Sequence, residues 1–130
     1  MPEENDMIRL CYGYSREDMH KAFVTLSEWM SAQQLPDEAV LRMRVIAEEL
    51  MSNLVRHNTP KVASDMAQVR LTLLPSELRF ELTDSCVPFD PIANKDKGYG
   101  LMITNGAADG LTYEQRDGHN HTTVVVKWKA

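Results

Sequence analysis

Residues 78–82, Leu-Arg-Phe-Glu-Leu, alternate apolar and polar side chains without a break. A period of two fits an extended strand with one face covered and the other wet. The next stretch, 84–91, reads DSCVPFDP. It opens on an acid and then makes a proline–phenylalanine–aspartate–proline corner too constrained to continue a ladder. Asp84 is therefore expected at the rim of a sheet, with a stiffened corner beside it.

The rest of the chain can supply that sheet and a cover for it. With 130 residues, 43% of them hydrophobic, it is long enough for one domain with a proper core, taken as residues 1–130. Residues 7–12 (MIRLCY) predict a strand ended by Gly13. Ser15 is a suitable N-cap with Asp18 in the first turn, and Met19, Phe23, Leu26, Trp29 and Met30 then recur at helical spacing to about Gln34. Pro36, Asp37 and Glu38 suit the start of a second helix, whose apolar face is Ala39, Met43, Ile46, Ala47, Leu50 and Leu54. Strand-like runs at 68–74 and 78–83 flank the turn Pro75-Ser76-Glu77. Gly98 to Asp109 reads as a short glycine-led helix, and the end as two strands around the hairpin signal Asp117-Gly118. The pattern β-α-α-β-β-(loop)-α-β-β predicts an α/β fold, a two-layer sandwich of a mixed, mostly antiparallel sheet with helices on one face.

Bulk properties narrow the function. A net charge of −5 argues against a general nucleic-acid or anionic-membrane surface. Cys11 and Cys86 are far apart and lack CxxC or Cys/His spacing, so a reduced, cytoplasmic setting is the default. The opening MPEENDMIRL is neither basic nor apolar enough for a signal. No window approaches the roughly 20 apolar residues that span a bilayer.

Three polar groupings stand out. On the second helix, Glu49, Asn53 and His57 are spaced four apart and form one stripe. At about 100° per residue, that stripe rotates from outside the apolar face into it. It reads either as a solvated flank with a satisfied histidine or as an oxygen donor set for a hard cation such as Mg²⁺. Asp84 reads either as a turn residue or as an acceptor for a ligand's amino group, with Pro88 and Phe89 walling it. In KGYGLMITN, Gly98 and Gly100 precede an apolar helical run, either as a plain helix entrance or as backbone that approaches an anion. The third glycine of a Rossmann fingerprint and the GK[ST] of a P-loop are both missing. A metal site from His57, His119, His121 and Cys86 has no standard ligand spacing.

Taken in order, E-x-x-x-N-x-x-x-H on a helix, D-x-x-x-P-F-D-P after a strand and G-x-G-L at a helix start resemble the N, G1 and G2 boxes of the histidine-kinase-like (GHKL) ATPase fold. The nearest resemblance is to the anti-sigma-factor serine kinases of the RsbW type. The closing hairpin, Asp109 and then LTYEQRDGHNHTTVVVKW, is similar to that family's D-x-x-x-Y…D-G-x-N-x-x-T. The resemblance implies ATP and Mg²⁺ as cofactors. Glu49 would be the catalytic base, Asn53 the Mg²⁺ ligand, and Asp84 the acceptor for the adenine amino group with Thr123 in support. Gly98, Gly100, Leu101 and Lys97 would lie along the phosphates, and Cys86, Pro88 and Phe89 beside the base. His57 would make a structural hydrogen bond. Implied partners are a STAS-type anti-anti-sigma protein, a sigma factor and a second copy of the chain, with residues 7–30 as the pairing surface. Two features depart from the pattern. Cys86 stands where the family has glycine, and only IANKDK separates Pro91 from Gly98, where relatives carry a longer lid. They keep open a second reading, a binding module of the same fold that does not transfer phosphate.

Overall fold

Local signals decide where most elements begin and end. In the computed structural model, residues 6–57, 65–86 and 107–129 are described, the side chain of His57 excepted. The chain order is β1 (Met7–Gly13), α1 (Arg16–Ala32), α2 (Asp37–His57), β2 (Met66–Leu74), β3 (Glu77–Asp84), β4 (Gly110–Arg116) and β5 (His119–Lys127). Ser15 caps α1 by accepting the Asp18 amide at 3.1 Å, satisfying one donor that the first turn leaves free. The chain turns sharply into that cap: a Cβ on Gly13 would lie 2.7 Å from Asp18 Oδ2. At the other end of the chain, Asp117 (φ 56°) and Gly118 (φ 77°) make the two-residue turn that joins β4 to β5, with Arg116 opposite His119.

The five strands are ordered β1-β2-β3-β5-β4, and every ladder among them is antiparallel. The expected mixed sheet is corrected on this point. β4 does run parallel to β3, but β5 folds back and inserts between them, so the two never pair. The expected helix from Gly98 to Asp109 lies mostly outside the described residues. Its last part, 107–109, is not helical, because the Asp109 amide donates to the Val125 carbonyl and already belongs to the sheet edge. No described helix is long and apolar enough to cross a membrane.

α1 and α2 pack together on one face of the sheet. All six apolar positions expected for α2 are buried, as are Met19, Leu26 and Met30 of α1. Phe23 and Trp29 pack at the margin of the same core, so the apolar side chains of 7–30 mainly serve the interior. The strands contribute Val69, Leu71, Leu78, Phe80, Leu82, Val124 and Val126.

α2 lies along the central strands β3 and β5 and is held at both ends. Near its start, Arg42 donates to the Lys127 carbonyl (3.1 Å), the Ala107 carbonyl (3.0 Å) and Asp109 Oδ2 (2.8 Å). Further along, the buried Tyr12 hydroxyl donates to the Met51 carbonyl at 3.3 Å. Lys127 pairs with Glu77 at one end of the sheet, whereas Tyr12 and its partner Ala67 lie at the end where β3 reaches Asp84. The C-terminal half of α2 is thereby fixed over the Asp84 end.

The Arg42 brace is testable. Arg42→Met removes a donor from two carbonyls and from the Asp109 carboxylate, which keeps the Lys127 amide. It should lower stability by about 2 kcal/mol, read as a shifted urea midpoint. The Asp109 carboxyl is held below its ordinary range, first by the Lys127 amide and then by Arg42. A depressed carboxylate contributes stability above its unfolded pKa and loses it as pH falls through the folded value. The stability gap between wild type and Asp109→Asn should therefore be present at neutral pH and close only as pH falls below the ordinary carboxylate range. It should also shrink in high salt, because the Asp109 side chain is 38% exposed.

Candidate functional site

The covered face of the sheet changes character along its length. On β3 it runs Leu78, Phe80, Leu82 and then Asp84; on β5 it runs Val126, Val124 and then Thr122 and Asn120. These polar residues are nearly as buried as the apolar ones, with Asp84 5% and Asn120 4% exposed. Buried polar groups require partners, and here they partner one another. Asp84 Oδ1 accepts the Cys86 amide at 2.9 Å and Asn120 Nδ2 at 2.8 Å. Asn120 Nδ2 also reaches the Cys86 carbonyl at 2.9 Å, and its Oδ1 accepts the Tyr113 hydroxyl at 2.5 Å. Ser85 Oγ closes the edge by donating to Asp65 Oδ2 at 2.6 Å.

Two further groups border this end. Burial pushes the Cys86 thiol up to about 11, with the Asp84 and Asp65 carboxylates adding to the shift and the Tyr14 hydroxyl opposing it. The Tyr14 phenol is likewise raised, chiefly by burial and then by the neighbouring Cys86 thiol.

Above the same end, α2 presents its polar stripe. Asn53, 4% exposed, donates from Nδ2 to Glu49 Oε1 at 3.1 Å and accepts Arg56 Nη2 on Oδ1 at 2.7 Å. Glu49 is half-buried. The result is a carboxylate, a carboxamide and a guanidinium in one row, on the part of the helix that the Tyr12–Met51 contact holds over the sheet. Such a row can hold a cation through oxygen, balance an anion through Arg56, and accept a proton on the carboxylate.

A sequence profile described as the histidine kinase-like ATPase domain matches residues 15–128. The chain belongs to that family. Its fold matches the crystal structure of the RsbU and RsbW domains of Rv1364c from Mycobacterium tuberculosis, with a TM-score of 0.69 at 14% identity. The match covers 93% of this chain and 32% of that one, so this chain spans about a third of that protein's length. No curated protein matches the chain in sequence. The likeness establishes an RsbW-like histidine kinase-like ATPase fold.

Within this histidine kinase-like ATPase domain, the structure brings Glu49 and Asn53 together on α2 and seats Asp84 and Cys86 at one end of the sheet beneath that helix. Thr123 does not join them. It pairs with Glu81 and Thr112, which puts it on the opposite, helix-free face; Thr122 takes the place beside Asn120. That free face carries a shallow groove of about 670 Å³ that includes Arg70, Glu81, His121 and Thr123. His121 contacts Thr83 there (3.4 Å), across the sheet from buried Cys86, and no group of three His, Cys, Asp or Glu side chains gathers among the described residues. The expected Pro88, Phe89, Lys97, Gly98, Gly100 and Leu101 lie outside the described residues, as does the side chain of His57.

Sequence reasoning missed Asn120, Tyr113, Thr122 and Arg56 as members of the group. Asn120 and Tyr113 were visible as parts of the closing hairpin motif. Val124-Val125-Val126 is apolar throughout, so it carries no alternation from which to read the facing of Thr122 and Thr123.

The thiols should separate cleanly by reactivity. At pH 8 a thiol with a pKa of about 11 is thiolate in only about one molecule in a thousand. Cys11 is exposed and Cys86 buried. Native protein treated with iodoacetamide should therefore be labelled at Cys11, and Cys86 should react only after denaturation, as read by peptide mass analysis.

Proposed function

We propose that the protein binds MgATP at the polar end of its sheet and acts as a regulatory serine-protein kinase and anti-sigma factor. Its phosphoryl acceptor is a serine of a STAS-type anti-anti-sigma partner, and its second partner is a sigma factor. The observation that carries the reading is the placement of α2. Its Glu49–Asn53 pair is held over the same sheet end as the buried carboxylate of Asp84.

The residues present fit the nucleotide and metal. Among the described residues, the two N–H donors that reach Asp84 land on Oδ1, and the neutral Cys86 thiol lies beside the carboxylate. In this reading Oδ2 accepts an N–H from the exocyclic amino group of adenine. Asn53 Oδ1 offers a carboxamide oxygen, a ligand type that Mg²⁺ accepts. That oxygen also accepts Arg56 Nη2 at 2.7 Å, which fixes the direction in which the carboxamide faces. When bound, MgATP supplies the transferable phosphoryl group together with a metal that neutralises its charge.

The chain's own residues do the rest. Asn53 Nδ2 occupies Glu49 Oε1, so the other carboxylate oxygen is the one to orient an incoming serine hydroxyl and take its proton. Arg56 sits beside the metal-facing amide and balances phosphate charge. Thr122, adjacent to Asn120 on the covered face, supports the base in the role expected of Thr123. Gly98, Gly100, Leu101 and Lys97 belong to the phosphate side of this reading, and Pro88 and Phe89 to the base side. A cytoplasmic location and pairing of two copies belong to it as well.

A second reading is a binding module of the same fold with weak nucleotide affinity. It is favoured by Cys86, whose side chain is packed beside Asp84 where the family pattern has glycine, and by the short 92–97 segment.

Calorimetry with MgATP separates the two. The kinase reading expects micromolar affinity that is lost in Asp84→Asn, weakened in Thr122→Val and unchanged in Thr123→Val. Glu49→Gln should retain nucleotide but transfer radiolabelled phosphate to a STAS partner at least about 100-fold more slowly. Binding without any transfer to a cognate partner would leave the binding module as the function.

A further inference from the structure

Asp84 can serve as a base-reading carboxylate only if it points one way. A carboxylate at the end of a strand has two equivalent oxygens and a broad terminal torsion. Here the torsion is constrained, because the Cys86 amide and Asn120 Nδ2 both land on Oδ1. Among the described residues, Oδ2 takes no N–H or O–H, and the neutral Cys86 thiol is the other group against the carboxylate.

The Asn120 amide is itself held the right way round. Its nitrogen faces two acceptors, Asp84 Oδ1 and the Cys86 carbonyl at 2.8 and 2.9 Å. Reversing the amide would set its oxygen against both. The reverse is also opposed from the other side, where the Tyr113 hydroxyl donates to Asn120 Oδ1. Tyr113 stands opposite Thr122 on the neighbouring strand and reaches Asn120 diagonally, the cross-strand geometry that long aromatic side chains can span. The chain of donors therefore runs Tyr113 to Asn120 to Asp84 across three strands and ends on a single carboxylate oxygen.

We infer that Tyr113 and Asn120 are positioning residues that aim Asp84 and so set the preference for a purine carrying an amino group at position 6. This deepens the reading of Asp84 as the adenine acceptor and rests on it. With Oδ1 committed, Oδ2 meets the ligand as a fixed acceptor. A 6-amino purine donates to it, whereas a 6-oxo purine sets a carbonyl oxygen against it. A site built to pair a polar group discriminates strongly against an analogue that leaves the group unpaired. Without the Tyr113 hydroxyl the Asn120 amide keeps its two acceptors but loses the contact that pins its oxygen. Asp84 is then aimed less firmly, and the preference weakens although no group touching the ligand has changed.

The test is calorimetric titration of the whole chain with MgATP and with MgITP, whose base has a carbonyl in place of the amino group. Wild type, Tyr113→Phe, Asn120→Ala and Asp84→Asn are compared, with circular dichroism checking the fold of each. Tyr113→Phe keeps the ring of a half-buried residue, so it is the variant to rely on if Asn120→Ala does not fold. We expect its ATP-over-ITP preference to fall about tenfold, chiefly through weaker ATP binding. A folded Tyr113→Phe protein with the wild-type preference overturns the inference, and if wild type still prefers ATP and Asp84→Asn does not, the base-site reading survives it. Equal affinity of wild type for both nucleotides, or no binding of either at millimolar concentration, overturns both. A second readout needs no nucleotide. The Cys86 amide shares Oδ1 with Asn120, so its NMR resonance should move in Tyr113→Phe, and an unmoved resonance also overturns the relay.

Discussion

The burial of Asp84 is the constraint around which this end of the molecule is organised. A carboxylate taken out of water is costly unless it is met by donors. The chain supplies them from two directions: its own backbone at Cys86, and Asn120 from the neighbouring strand. Asn120 in turn has to be buried and satisfied, which draws in the Tyr113 hydroxyl and the Cys86 carbonyl. The covered face thus stops being apolar where β3 ends, and a polar floor forms beneath α2. This floor is a consequence of folding a sheet whose central strands end in Asp, Asn and Thr rather than in Leu and Val.

The floor would have no counterpart without the way α2 is laid across it. The helix is fixed at both ends by contacts that lie far apart on the sheet, Arg42 at the Lys127 end and Tyr12 at the Asp84 end. Between them the apolar stripe from Met43 to Leu54 packs on the strands. With its position set in this way, the helix brings Glu49 and Asn53 over the polar floor. The arrangement joins a core-packing problem to a chemical one, because the interactions that stabilise the helix also set the site's geometry. The same buried environment makes the site sensitive to substitution. The Cys86 side chain fills space beside Asp84 and is kept as a neutral thiol by burial. Arg56 places a full positive charge against the Asn53 carboxamide.

Much of the fold was legible because it depends on neighbours in the chain. Ser15 caps α1 through a residue three positions on, Asp117-Gly118 makes its turn from two local torsions, and the period of α2 names its buried face correctly. The strand run at 78–82 was readable because its alternation was unbroken. The facing of β5 was not, since three consecutive valines match either face. Nor was the antiparallel character of the whole sheet, because nothing local says that β5 inserts between β3 and β4. The end of the expected 98–109 helix failed for a related reason: the Asp109 amide is claimed by the Val125 carbonyl of a strand formed later in the chain.

By itself, then, the sequence determined the elements, the apolar stripes, the family and the acids and amides that candidate chemistry would use, all of which are set by short-range periodicity and residue type. Tertiary structure alone decided which of those groups share a face. It put Thr122 rather than Thr123 beside Asn120, set Tyr113 across from it, and held Glu49 and Asn53 over Asp84. The physical reason is that strand facing and helix placement are chosen by what can be buried and hydrogen-bonded at once. That choice exists only when distant parts of the chain are packed together.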